Sequence, residues 1–302
     1  MPGNGDGPDE RPQIGETTGG SDPDRPRYLF PIDGDHPRDV LELVCDLVAD
    51  ADADLVLAAP VTEGSSPSGG TIEAREEAHR RAATLVWHAK ETCQGDLSIE
   101  RVVRVGTDRE RVLEEIVDAF SVSTIVSEDR PRSGRSSPLQ SEGDNGGSFP
   151  RKCDSITVTG IEYIDAIDSV LEPIAGGPHS GMAIDVGLAL ARQHDASLEL
   201  LHVHEPGDEA REAGAELLEH GMDRVADYEN ADGTVQESTE VQETILDHTS
   251  SFDVTVLGAP REGLIRRFVF GTVPDEVDAR ADRTILTAHR GGVSDSWLDR
   301  LS

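Results

Sequence analysis

The chain repeats itself at the scale of a domain. YLFPIDGDHPRDVLELVCDLVADADADLVLAAPV, from Tyr28, runs parallel to VLEPIAGGPHSGMAIDVGLALARQHDASLELLHVHEP, from Val170. Each passage is a short apolar run ending in Pro-Ile, a glycine turn, an amphipathic helix and a second apolar run. Pro31-Ile32-Asp33-Gly34 falls under Pro173-Ile174-Ala175-Gly176, an offset of 142 residues. A duplication of this length means that each half must solve the same folding problem, so the unit is a domain rather than a short solenoid repeat.

Within each half, hydrophobic periodicity alternates between strand and helix. The first half reads on as a helix over Glu73–Thr92 with Trp87 on its apolar face, a strand Ile99–Gly106, a helix carrying Val112, Ile116 and Val117, and the strand in STIVSED. DRPRSGRSSPLQSEGDNGGSFPRK then reads as a mobile loop before a last strand, DSITVTG. The second half reads as a helix over Glu209–Tyr228, a weak strand GTVQES, a helix VQETILDHTSSF, a buried strand DVTVLG, a helix-like run VPDEVDARAD and a final strand TILTAHR. Such alternation implies right-handed crossovers and a parallel sheet covered on both faces. The expected fold class is α/β: two tandem doubly wound, Rossmann-like parallel-sheet domains. Their expected bounds are 27–160, with a degenerate glycine loop at 129–152, and 168–291. Residues 1–26 read as a disordered lead and 292–302 as a tail.

Charge narrows the function classes. Acidic residues outnumber basic ones 60 to 27, for a formal net charge of −33, and the excess is spread along the chain. Such a field repels nucleic acid and anionic lipid, which argues against either as a partner. Only Lys90 and Lys152 are lysines. Carboxylates everywhere with almost no lysine fit a halophile's protein, soluble at molar salt where the Debye length is about 3 Å. No apolar run reaches the length of a membrane span, so the expected setting is cytoplasmic, without membrane insertion. Cys45, Cys93 and Cys153 lack any CxxC spacing and read as scattered, reduced thiols.

The loop after DVTVLG carries the functional question. Gly258 is followed by Ala259-Pro260, Arg261, nine residues that include Gly263, and then Gly271-Thr272. With the PIDGD turn, VGTDRERVLEEIVDAF leading to STIV, and ALARQHDASLELLHV, these residues resemble the universal stress protein family as a tandem pair from about Arg27 to Arg290. The family's phosphate loop is Gly, two residues, Gly, nine residues, Gly, then Ser or Thr. Arg261 stands where the second glycine would be. The resemblance implies a doubly wound α/β fold, self-association, and no catalytic chemistry in most members, of which some bind ATP and others do not.

The resemblance also implies an Asp after the first strand in ATP binders. That position is Asp33 in the first half and Ala175 in the second, so each half carries one piece of the site and lacks another. Backbone N–H groups around Gly258, Gly263 and Gly271, the Thr272 hydroxyl and a helix N-terminus could cradle phosphate. Asp33 reads equally as a turn residue bonding its own backbone. His202 and His204 alternate on one strand face, but no spacing supplies a third metal ligand. No order of Ser, His and Asp suggests a nucleophilic triad, so an enzyme is not expected. Three roles stay open: a non-catalytic stress-response module binding an adenine nucleotide such as ATP, an interaction module with decayed sites, and a regulatory partner of a membrane transporter.

Overall fold

Phe30 in the first half and Glu172 in the second occupy the same place in two strands of equal length, β1 (Arg27–Pro31) and β6 (Ser169–Pro173). The computed structural model describes residues 24–32, 38–62, 71–93, 97–129, 152–160, 166–259 and 284–292. From β1 the first half continues through α1 (Arg38–Asp50), β2 (Asp54–Thr62), α2 (Thr71–Thr92), β3 (Ile99–Gly106), α3 (Arg109–Phe120), β4 (Thr124–Asp129) and β5 (Asp154–Thr159). From β6 the second continues through α4 (Pro178–His194), β7 (Ser197–His204), α5 (Asp208–Arg224), β8 (Ala231–Glu237), α6 (Val241–Thr249), β9 (Val254–Gly258) and β10 (Thr284–His289).

All ten strands form one sheet, ordered β3-β2-β1-β4-β5-β10-β9-β6-β7-β8. Read outward from the centre, the halves have the same order, and every pairing within a half is parallel. They meet where β5 and β10 run antiparallel, from Ile285 opposite Thr159 to His289 opposite Ser155. The expected doubly wound α/β class is therefore observed, as two repeats of one topology fused into a continuous sheet. Beyond β10, the Gly291 N–H donates to Asp154 Oδ1 at 2.8 Å. A Cβ on Gly291 would sit 2.3 Å from the Cys153 carbonyl, so only glycine lets the chain cross there.

Local chemistry explains the helices. Val40, Leu41, Val44 and Val48 face one way on α1 and are fully buried, the spacing that amphipathic packing requires. Asp108 caps α3 by accepting the Arg111 N–H, and Ser121 ends it in the left-handed region at φ 50°. Helices α1 and α4 lie against each other across the junction of the halves, so one apolar cluster runs through both, from Phe30 and Leu41 to Val170 and Leu190. Asp46 and His194, 3.0 Å apart, mark the rim of that contact.

Three expectations need correction. Cys45 and Cys93 are joined in a disulfide, while Cys153 stays a buried thiol. Helices α1 and α2 pack side by side on the sheet, which brings two cysteines 48 residues apart to a Cα separation of 4.9 Å. Sequence spacing cannot register that approach. Trp87 is 56% exposed, because the inward stripe of α2 runs through Ala82, Leu85 and Ala89, and two further positions along turn Trp87 away. Helix α5 ends at Arg224 rather than Tyr228. The Tyr228 hydroxyl instead donates towards the Ala191 and Ala196 carbonyls. The stretch read as a mobile loop and the run VPDEVDARAD lie outside the described residues.

Candidate functional site

In a doubly wound sheet, ligands gather beyond the carboxyl ends of the strands near the switch in strand order. In the second half that place is where β6 and β9 lie side by side and α4 begins. The chain leaves β6 through Ile174 and Ala175, then turns at Gly176 and Gly177, whose φ angles are 80° and 95°. Both lie in the left-handed region that favours glycine. Pro178 follows as the first helical residue, and no side chain caps the helix start. Ser180 Oγ donates back to the Gly176 carbonyl at 3.2 Å.

Gly258 closes the other side. A Cβ there would lie 2.9 Å from the His179 carbonyl carbon and 2.9 Å from the Ser180 nitrogen. The missing side chain is what allows β9 to reach the first turn of α4. The following Ala259 N–H is taken by the Ala288 carbonyl at 2.8 Å. His179 Nδ1 accepts the Arg290 N–H at 3.0 Å, and its ring lies 4.5 Å from that of His289. Arg290 also brings its guanidinium within 3.8 Å of Asp185, the carboxylate that Arg224 grips with two bonds of 2.6 Å. This surface can offer backbone N–H groups and the positive end of a helix to an anion.

Of the residues predicted for the site, Gly258 alone lies among the described residues; Asp33, Arg261, Gly263, Gly271 and Thr272 lie outside them. Ala175 is exposed beside the turn, with no carboxylate to meet a ribose or base. His202 Nδ1 lies 2.9 Å from the Ile174 carbonyl and His204 Nδ1 2.7 Å from the Glu205 carbonyl. Among the described residues no group of three or more His, Cys, Asp or Glu could hold a metal ion.

Sequence reading missed Glu172. It is fully buried in β6 under α4, and neither carboxyl oxygen has a hydrogen-bond partner. Burial, and then the charge of Asp185, pushes its pKa well above the ordinary carboxylate value. Gly187 makes the room, since a Cβ there would come 3.4 Å from Glu172 Oε2. The repeat offset sets Glu172 over Phe30 and Gly187 over Cys45. A single acidic residue inside VLEP, opposite an apolar counterpart in the other repeat, is the signal that could have found it.

A family model described as the Universal stress protein family matches residues 167–289. Those residues form a universal stress protein domain. No curated protein matches the chain. Among solved structures, a universal stress protein from Archaeoglobus fulgidus DSM 4304 is similar at 14% identity and a TM-score of 0.52, over 88% of this chain and 97% of that one. A putative universal stress protein from Pseudomonas aeruginosa UCBPP-PA14 is similar at 13% identity and a TM-score of 0.52, over 89% and 94%. The cytoplasmic domain of a prokaryotic cation chloride cotransporter is similar at 11% identity and a TM-score of 0.51, over 90% and 98%. At such identities the likeness concerns the fold, and it takes in both halves. Among the described residues no helix is long and apolar enough to cross a membrane.

Proposed function

We propose that the chain is a non-catalytic stress-response module made of two universal stress protein-like halves, and that its second half binds the phosphate end of an adenine nucleotide weakly. The common strand order supports the tandem reading. The observation that carries the nucleotide reading is the close approach of Gly258 to the uncapped first turn of α4, beside the Gly176-Gly177 turn. An anion seated there meets main-chain donors and a helix dipole. Weak affinity follows from Ala175, which leaves the rest of the nucleotide without a carboxylate acceptor. Calorimetry with ATP at molar KCl tests this. Ala175→Asp should tighten binding by roughly 1–3 kcal/mol, the worth of a hydrogen bond to a charged group. The reading fails if neither the wild type nor this variant takes up ATP.

A second reading, an interaction module that has kept the loop only for folding, also draws on Gly258. Its packing against α4 is reason enough for a glycine there. On that reading Gly258→Val lowers the melting temperature of the ligand-free protein, and ATP stabilises neither form. A regulatory role beside a transporter belongs to this reading, in line with the fold shared with the cotransporter's cytoplasmic domain. We further read the acidic surface as an adaptation to a salt-rich cytoplasm, with screening holding the carboxylates' repulsion in check.

A further inference from the structure

Helix α2 turns Ala82, Leu85 and Ala89 to the sheet. Its outer side carries Ile72, 75% exposed, and Trp87, 56% exposed, the exposed large hydrophobics among the described residues. Fifteen positions apart on an α-helix, they lie within about 60° of each other around the axis and about 22 Å apart along it. Ala83, also exposed, falls between them. Single exposed apolar residues are ordinary on soluble proteins, but two of the largest on one stripe of one helix form a pattern.

Charge selects the occupant. The helix holds four Glu against three Arg and one Lys, so it is formally neutral in a chain of net charge −33. Two copies meeting elsewhere would set carboxylates against carboxylates, whereas two α2 helices meet without net repulsion. The order of residues is also self-complementary. Laid antiparallel about a two-fold axis near Arg80, Trp87 of each copy covers Ile72 of the other, and Glu76 comes within about one turn of the second copy's Arg80. The inner strand edges are already used, because β5 and β10 pair with each other within the chain.

We propose that the outer stripe of α2, formed by Ile72, Ala83 and Trp87, is the surface on which a second copy of this chain docks, antiparallel, to give a two-fold dimer. The inference goes beyond the nucleotide reading and does not depend on it. A single helix pair buries less than the roughly 1,200 Å² of a standard interface, so association is concentration-dependent. It strengthens with salt, which screens the repulsion between the two acidic bodies while leaving the apolar contact intact.

Sedimentation velocity over a range of protein concentrations in about 2 M KCl, a salt that screens at roughly 2–3 Å, provides the test. The wild type should move from the mass of one chain towards that of two. Trp87→Glu and Ile72→Glu should each weaken association at least about tenfold, as expected when an interface anchor is removed. Their circular dichroism and melting should be unchanged, since both side chains face solvent. Glu76→Arg alone should weaken the dimer, and Glu76→Arg combined with Arg80→Glu should restore it. A wild type that keeps one-chain mass at every concentration overturns the proposal and leaves the stripe to a different partner. A dimer indifferent to Trp87→Glu also overturns it, placing the contact on another face.

Discussion

Glu172 gives this fold a pH dependence that can be isolated by substitution. Its carboxyl is fully buried with both oxygens unpartnered, under Gly187 and beside Leu198 and Val170. Burial raises its folded-state pKa well above the unfolded value near 4.5. Between those two values the folded chain holds a proton that the unfolded chain has released. The unfolded state binds fewer protons there, so stability falls as pH rises, by up to about 1.4 kcal/mol per pH unit, and levels off above the folded pKa. The contribution is complete below pH about 4.5 and lost by the time the folded carboxyl ionises. Even when neutral, the group carries the desolvation cost of a buried, unsatisfied polar side chain, about 1–3 kcal/mol. Glu172→Leu should therefore stabilise the protein by about that amount at low pH and by more as pH increases. The first repeat already tolerates an apolar residue at the equivalent place, Phe30. Glu172→Gln should remove the pH slope but keep most of the desolvation cost. Urea unfolding at constant high salt from pH 5 to 8, followed by circular dichroism, measures all three proteins. Taking differences between variants removes the titration of the remaining carboxylates. If the wild type and Glu172→Leu keep a constant separation across that range, or if Glu172→Leu is the less stable, the reasoning is wrong.

Reducing the Cys45–Cys93 bond opens a cross-link spanning 48 residues. Chain-entropy arguments put the loss of stability at about 4 kcal/mol. Thiol titration of the denatured, unreduced protein should count only Cys153, and a count of all three cysteines would exclude the bridge. Within the native fold Cys153 should react slowly with alkylating agents, because burial pushes its thiol up to about 11. Diluting the salt from about 3 M to about 0.1 M KCl lengthens the Debye length to roughly 10 Å, so the melting temperature should fall. An unchanged melting temperature would reject the salt-adaptation reading.

Pattern alone determined much of this protein. The repeat of Pro31-Ile32 at Pro173-Ile174, and the alternating periods between, determined the succession of strands and helices. Local interactions write these features into short stretches, such as Asp108 capping α3 and the Val40, Leu41, Val44 spacing on α1. The glycine spacing after DVTVLG also marked Gly258 before its neighbours were known. Its clash distance to α4 gives that glycine a packing reason that spacing could not supply. Other features were decided by approach between distant segments. Cys45 and Cys93 pair because two crossover helices share one face of the sheet. Trp87 faces outward because α2's packed stripe runs through Leu85. Glu172 is buried without a partner because Gly187 opens space beneath α4. The antiparallel meeting of β5 and β10 joins residues 155 and 289, and through it two copies of one topology become a single sheet. Local sequence encodes torsional preference and amphipathic period; the placing of one segment against another is settled by long-range packing, which no local pattern records.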